Sequence, residues 1–165
     1  GAGFPGVALA IACPRMRLTL LDSLNKRLLF LKTVCGELSI PAEFIHARAE
    51  EGGRKPELRE RFDAAAARAV ANLPLLCEYC LPFVRPGGVF YAMKGPDGEE
   101  ERKAAEKAAE ALGGRLGTVK RITILGGSGE ESLDRLLIPV DKVSPTPPKY
   151  PRPSAKIAKQ GPIRA

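Results

Sequence analysis

Apolar and polar positions along the chain alternate between two periods, which predicts a succession of strand and helix units. Residues 17–21 (Arg-Leu-Thr-Leu-Leu) form a short apolar run that is typical of a buried strand. From residue 24 to residue 38, apolar side chains recur at intervals of three and four, which indicates one face of a helix. Two further strands are predicted over residues 43–46 and 62–67. The second is rich in alanine, which is less typical of strands than the residues of the first.

The second half of the sequence continues the same alternation. A helix is predicted from residue 72 to residue 84, ending at Arg-Pro-Gly-Gly, and a strand follows over residues 89–93. An Ala/Glu/Lys-rich helix is predicted over residues 97–112, and strands near 115–125 and 133–140 flank a Gly-Gly-Ser-Gly turn. Such an order predicts an α/β fold with a mainly parallel sheet, helices on both faces and a C-terminal antiparallel hairpin.

The first residues suggest a nucleoside pocket. Residues 1–6 are Gly-Ala-Gly-Phe-Pro-Gly, followed by an apolar helical pattern over residues 7–13. In α/β folds the first strand runs into a glycine-rich turn of this kind, so we expect that strand to precede the given sequence. Asp22 ends the next strand, where a carboxylate can bind ribose hydroxyls. This pair of features is also found in dinucleotide-dependent enzymes.

The end of the chain is strongly basic. The net charge is +7, from 26 Lys and Arg against 19 Asp and Glu. Residues 141–165 hold six basic residues and one acidic residue, so +5 of this charge lies there. We therefore expect one domain over residues 1–141 and a Pro/Lys-rich tail over residues 142–165 that stays extended until it binds a polyanion. A tail that only improves solubility is the alternative.

The cysteine pattern favours buried, reduced thiols over a metal site. Cys77 and Cys80 have the spacing of half a zinc site, but His46 is the sole histidine of the sequence and the other cysteines, Cys13 and Cys35, are distant. Reduced thiols indicate a reducing, cytoplasmic location. The apolar runs are too short for a membrane span, and we expect a monomer without a metal.

Four segments in order carry a family resemblance. They are Leu-Leu-Asp-Ser-Leu-Asn-Lys-Arg at residues 20–27, Arg-Ala-Glu-Glu at 48–51, Ala-Arg-Ala at 67–69 and Phe-Tyr-Ala-Met-Lys-Gly at 90–95. Together they resemble the bacterial 16S rRNA guanine-N7 methyltransferases of the glucose-inhibited division protein B family. The resemblance implies a class I, Rossmann-like fold, S-adenosylmethionine as the cofactor and a guanine of 16S rRNA, in the small ribosomal subunit or its precursor, as the substrate. We expect that activity to belong to a longer parent polypeptide.

The resemblance also implies roles for individual residues. The cofactor contacts would be Gly1, Gly3, Phe4, Asp22, Ala49, Glu50 and Arg68. Arg68 and Lys94 are the candidate catalytic residues, which would hold the guanine and its flanking phosphate. Further RNA contacts would be Lys26, Arg27, Arg48, Lys149 and Arg152. No general base is expected, because N7 of guanine carries a free lone pair.

Two other functions fit some of the same residues. A non-catalytic RNA-binding module with a vestigial nucleotide pocket would explain the basic tail. A nicotinamide-dependent dehydrogenase would explain Asp22, although a site for hydride chemistry is not recognisable. Amino-group methylation is disfavoured because Asn72-Leu73-Pro74-Leu75 lacks the paired prolines and the aromatic residue that grip a target amine.

Overall fold

The computed structural model describes residues 2–124 and 133–163, which form two compact units. The first unit is Gly1–Gly52 and the second is Gly53–Ala165. Residues 142–163, expected to be a separate tail, belong to the second unit.

The first unit is a parallel strand pair with three helices. Its elements are α1 (Gly6–Ala12), β1 (Leu18–Asp22), α2 (Asn25–Glu37), β2 (Ala42–His46) and α3 (Ala49–Gly52). The two strands pair in register from Leu18 opposite Ala42 to Asp22 opposite His46. The helices and strands predicted for this region are confirmed. In α2, the apolar residues are buried at the three- and four-residue intervals seen in the sequence. The core of the unit consists of Val7, Ala10, Leu18, Leu28, Leu31 and Cys35.

The second unit is built on a five-stranded sheet. Its elements are β3 (Phe62–Arg68), α4 (Leu73–Cys80), a 3₁₀ turn (Leu81–Phe83), β4 (Val84–Lys94), α5 (Gly98–Ala111), β5 (Gly114–Leu116), β6 (Lys120–Ile124), β7 (Leu133–Lys142) and α6 (Ser154–Gln160). The strand order is β3-β4-β7-β5, and β6 also pairs with β7. β3 and β4 are parallel, whereas β7 is antiparallel to β4, β5 and β6. The β6–β7 pairing confirms the C-terminal antiparallel hairpin, and its predicted Gly-Gly-Ser-Gly turn lies outside the described residues.

One predicted boundary was wrong. The helix expected to reach residue 84 ends at Cys80, and the Arg-Pro-Gly-Gly segment at 85–88 lies within β4. Pairing with β3 changes register there, from Phe62 opposite Val84 to Ala64 opposite Val89. A Cβ atom on Gly88 would lie 2.5 Å from the carbonyl oxygen of Asp63. The glycine therefore permits a bulge that keeps the two strands paired.

The C-terminal segment is folded, so the expectation of an extended tail was wrong for the described residues. The fully buried ammonium of Lys142 donates to Oε1 of Glu60 at 2.9 Å and to Oγ1 of Thr146 at 2.7 Å. Its Nζ also lies within hydrogen-bond distance of the carbonyl oxygens of Leu81 and Val84, so its three N–H groups are shared among four acceptors. Burial would raise the pKa of the Glu60 carboxyl, but the hydrogen bond and charge of Lys142 bring that pKa below its usual range. These bonds fix the start of the segment at the end of β7.

A second buried ion pair holds the segment further along. Glu78 of α4 is completely buried and accepts from the Arg152 backbone N–H at 2.8 Å, from Nε at 2.8 Å and from Nη2 at 2.6 Å. Arg152 Nη2 also donates to the carbonyl oxygen of Gly161, beyond α6. Ile157 of α6 is buried as well. Composition alone did not reveal this packing, because its polar partners lie far away in the sequence.

Candidate functional site

In the first unit, strand pairing brings Asp22 next to the loop that follows β2. Asp22 ends β1 opposite His46, and the backbone N–H of Ala47 donates to the carbonyl oxygen of Asp22 at 3.3 Å. Ala49 and Glu50 open the short helix α3 immediately after this loop. The parallel register therefore brings two of the predicted cofactor-binding segments to the same end of the two strands, where ligands bind in α/β sheets.

The Asp22 carboxylate is held in one orientation. Its Oδ1 accepts from the backbone N–H of Leu24 at 2.9 Å, and its Oδ2 lies 3.6 Å from Nη1 of Arg27. The Asp22 side chain is 9% exposed, whereas that of Arg27 is 55% exposed. A fixed carboxylate at the end of a strand can accept hydrogen bonds from two neighbouring hydroxyl groups. The geometry suits a ribose diol.

The glycine loop before α1 requires a residue without a side chain. Gly3 is buried and has a φ of +87°, a conformation that L side chains rarely adopt. A Cβ atom there would lie 2.6 Å from Cγ2 of Val7 and 2.8 Å from Cδ2 of Leu31. The Gly3 carbonyl oxygen accepts from the Val7 N–H at 2.7 Å, which begins α1. Phe4 is 56% exposed, and Gly1 lies outside the described residues.

Glu50 is buried, although glutamate is usually a surface residue. It is 6% exposed, in the first turn of α3, and its neighbour Ala49 is half-buried. A carboxylate is taken out of water in this way only when polar groups compensate for the lost hydration. Its placement beside the Asp22 loop fits the predicted role at a polar ligand.

In the second unit, the two candidate catalytic residues lie at neighbouring strand ends. Arg68 ends β3 opposite Met93, and Lys94 ends β4. The Arg68 side chain lies on the exposed surface. By contrast, Lys94 Nζ lies 2.6 Å from Oε2 of Glu101 and donates to the carbonyl oxygen of Ala71 at 2.7 Å. The charge of Lys94 is therefore paired within the protein.

The residues predicted to bind RNA divide into two groups. Lys26, Arg27, Arg48 and Lys149 are exposed, and Nζ of Lys149 lies 5.2 Å from the centre of the Tyr150 ring. Arg152 differs from expectation, because its side chain is 10% exposed and its charge is neutralised by Glu78. The basic sequence pattern could not distinguish exposed cations from a cation in a buried ion pair, and the roles of the exposed cations in RNA binding stay predictions.

The cysteine and histidine side chains give no indication of a metal site. Burial raises the pKa of the Cys77 thiol to about 12, so this group stays protonated and unreactive near neutral pH. His46 Nε2 lies 3.0 Å from the carbonyl oxygen of Ser23, so the imidazole at the end of β2 contacts the backbone that follows β1. Over residues 2–124 and 133–163, no cluster of His, Cys, Asp and Glu has a metal-binding arrangement. Over the same residues no helix has the length and apolar character needed to cross a bilayer.

Comparison with solved structures defines the class of fold. A methyltransferase from Thermoplasma acidophilum superimposes with a TM-score of 0.66 at 14% identity, over 87% of this chain and 65% of that one. The precorrin-6y C5,15-methyltransferase of Geobacter metallireducens gives a TM-score of 0.61 at 16% identity, over 86% of this chain and 75% of that one. The chain thus has the Rossmann-like α/β fold of class I methyltransferases.

Sequence comparison identifies the family. Residues 1–125 match the family model GidB, described as rRNA small subunit methyltransferase G. The ribosomal RNA small subunit methyltransferase G of Alkaliphilus metalliredigens is 47% identical over 153 residues, and that of Clostridium perfringens is 45% identical over 161 residues. These matches cover 92% and 97% of the chain. The chain belongs to the GidB family, and the predicted resemblance is confirmed. It spans 62% and 66% of the length of these two relatives.

Proposed function

We propose that this chain forms the larger part of an enzyme that transfers a methyl group from S-adenosylmethionine to N7 of a guanine in 16S rRNA. The observation that carries the proposal is the match of residues 1–125 to the GidB family, together with the Asp22 and Glu50 carboxylates at one end of the β1–β2 pair. Because the chain covers about two thirds of its relatives, the activity is assigned to the full-length gene product.

The residues of the first unit fit an adenosyl cofactor. Asp22 would accept hydrogen bonds from both ribose hydroxyls, since its carboxylate is already oriented by the Leu24 N–H. Glu50 would lie on the adenine side of the pocket, beside Ala49. Gly3 would allow the backbone to approach the cofactor closely, since it carries no side chain. A Cβ atom at this position would also collide with Val7 and Leu31.

The chemistry requires positioning more than acid–base catalysis. When bound, the cofactor supplies an electrophilic methyl group on its sulfonium. The lone pair of guanine N7 would form the new N–CH3 bond as the S–CH3 bond breaks and S-adenosylhomocysteine leaves, so no protein group has to remove a proton first. Arg68, at the exposed end of β3, would hold the guanine and its flanking phosphate.

The C-terminal segment supports contact with RNA. A cleft of about 400 Å³ there is lined by Lys149, Tyr150, Arg152, Lys156, Gln160, Pro162 and Ile163. Cations next to an aromatic ring suit a nucleic-acid strand, because phosphates pair with the ammonium groups and bases stack on the ring. Because Arg152 is neutralised by Glu78, we assign the phosphate contacts here to Lys149 and Lys156, with Lys26, Arg27 and Arg48 as further contacts in the first unit.

A methyl-transfer assay tests the proposal. The full-length gene product is incubated with methyl-labelled S-adenosylmethionine and 16S rRNA, and the modified base is mapped by chain cleavage at N7-methylguanine. We expect label at one guanine, and Arg68→Ala should reduce methyl transfer at least tenfold, a larger factor than its effect on the Kd for S-adenosylhomocysteine. RNA without label, or label at another atom or base, would reject the proposal.

Calorimetry separates the enzyme from a non-catalytic RNA-binding module. Binding of S-adenosylhomocysteine supports the enzyme, whereas salt-sensitive RNA binding without cofactor affinity supports the module. Lys149→Glu with Lys156→Glu should weaken RNA binding and make its salt dependence shallower, while Lys107→Glu on α5 serves as the control.

A further inference from the structure

Lys94 is enclosed by the segment that connects β3 to α4. Its side chain is 10% exposed, and Nζ lies within hydrogen-bond distance of Glu101 Oε2 at 2.6 Å and of the Ala71 carbonyl oxygen at 2.7 Å. Gly98 makes this approach possible, because a Cβ atom on it would lie 2.8 Å from Cβ of Lys94. The ammonium therefore points at the protein backbone rather than at an open site.

Glu101 holds the other side of the same segment. Its Oε2 accepts from the backbone N–H of Leu73 at 2.5 Å. Leu73 is the first residue of α4, and the first N–H groups of a helix have no partner within the helix. Asn72 supplies the usual cap one turn on, since its Oδ1 accepts from the Leu75 N–H at 3.2 Å. The carboxylate of Glu101 thus joins the start of α4 to Lys94.

The segment held in this way lies directly after the proposed guanine-binding residue. Arg68 ends β3, Ala69 has a φ of +53° and Val70 is 65% exposed. A left-handed conformation is unfavourable for alanine and persists only when neighbouring contacts enforce it. The contacts from Lys94 and Glu101 bracket Asn72 and so restrain the residues on its N-terminal side.

We propose that Lys94 and Glu101 are a positioning pair, which fixes the backbone of residues 69–73 so that Arg68 meets the target guanine in a reactive orientation. The proposal rests on the proposed function and changes the role of Lys94 from a catalytic contact to a residue that acts through the loop. A pair of this kind raises the rate by orienting the substrate, which is the main demand of a reaction without a general base.

The experiment compares four variants of the full-length gene product. Lys94→Met and Glu101→Ala break the pair, Glu101→Gln keeps an acceptor for the Leu73 N–H, and Glu99→Ala changes an exposed acid in the same helical turn as a control. We expect kcat for methyl transfer to fall at least tenfold in the first two variants. Glu101→Gln should recover part of this loss, and Glu99→Ala should stay within twofold of the unchanged protein.

Two further readouts distinguish positioning from general damage. The Kd for S-adenosylhomocysteine should change less than twofold in all variants, and amide exchange at Leu73 should accelerate at least tenfold in Glu101→Ala but not in Glu99→Ala. Folded Lys94→Met and Glu101→Ala variants with full kcat would overturn the proposal, and so would a parallel loss of cofactor binding or unchanged exchange at Leu73. If the unchanged protein methylates no RNA, the proposed function fails. The exchange measurement then still reports whether the pair holds the loop.

Discussion

Replacement of Arg152 by methionine is the most direct test of how the C-terminal segment is held. The change keeps the apolar stem of the side chain and removes its charge. Glu78, which is completely buried, would then lose the donors Nε and Nη2 and, among the described residues, keep only the backbone N–H of residue 152. A buried carboxylate would be left without a compensating cation.

The expected loss of stability is large. Breaking a buried ion pair by removing one partner costs about 3–5 kcal/mol, because the remaining charge stays out of water. With an m value of about 2 kcal/mol/M in urea, the unfolding midpoint should fall by about 1.5–2.5 M. Arg152→Met combined with Glu78→Leu should recover much of the loss, since apolar residues often replace such a pair without cost.

Urea unfolding of the full-length gene product, followed by circular dichroism, measures these shifts. Lys159→Met is the matched control, because this exposed lysine lies on α6 and should change stability by less than about 0.5 kcal/mol. A midpoint for Arg152→Met within 0.5 M (about 1 kcal/mol) of the unchanged protein would refute the reasoning. So would a double variant that is less stable than the single one.

Three further changes have defined outcomes. Asp22→Asn should weaken S-adenosylhomocysteine binding at least tenfold by calorimetry, because a charged acceptor is lost, while Asp63→Asn should leave the Kd unchanged; equal effects would contradict the assignment. Gly3→Ala should lower the free energy of unfolding in urea by about 2–4 kcal/mol. Gly36→Ala, where a Cβ meets nothing within 4 Å, should instead stabilise α2 by about 0.5–1 kcal/mol. Similar values for both variants would contradict the packing argument. The pKa of Glu60 is lowered in the folded state, so its contribution to stability is present above about pH 5 and is lost as the pH falls below about 4. Glu60→Gln should therefore flatten the fall in the urea midpoint between pH 5 and pH 3, and an unchanged slope would count against this.

The local pattern of apolar and polar residues was sufficient to predict most of the helices and strands. The apolar stripe of α2 and the short runs of β1 and β2 match the observed elements because burial imposes the same periodicity on sequence and structure. Pattern failed where distant polar partners decide the conformation. The Pro- and Lys-rich end has few apolar residues, and its folding depends on Glu60 and Glu78, which lie 82 and 74 residues away from Lys142 and Arg152.

The same distinction applies to the candidate site. Asp22 could be predicted because its position at the end of a strand follows from local sequence, and parallel pairing then brings the segment after β2 beside it. The partners of Lys94 could not be predicted, since the contact with Glu101 requires α5 to fold back against the start of α4. Sequence identified the charged residue, and only the folded structure identified what its charge contacts.

The fully buried amine of Lys142 makes this side chain an internal reporter of global opening. An acylating reagent should modify the surface lysines of the native protein rapidly, whereas Lys142 should react only in molecules in which β7 has separated from its surroundings. Mass spectrometry of residue 142 over time would then give the opening rate of the second unit without any introduced label.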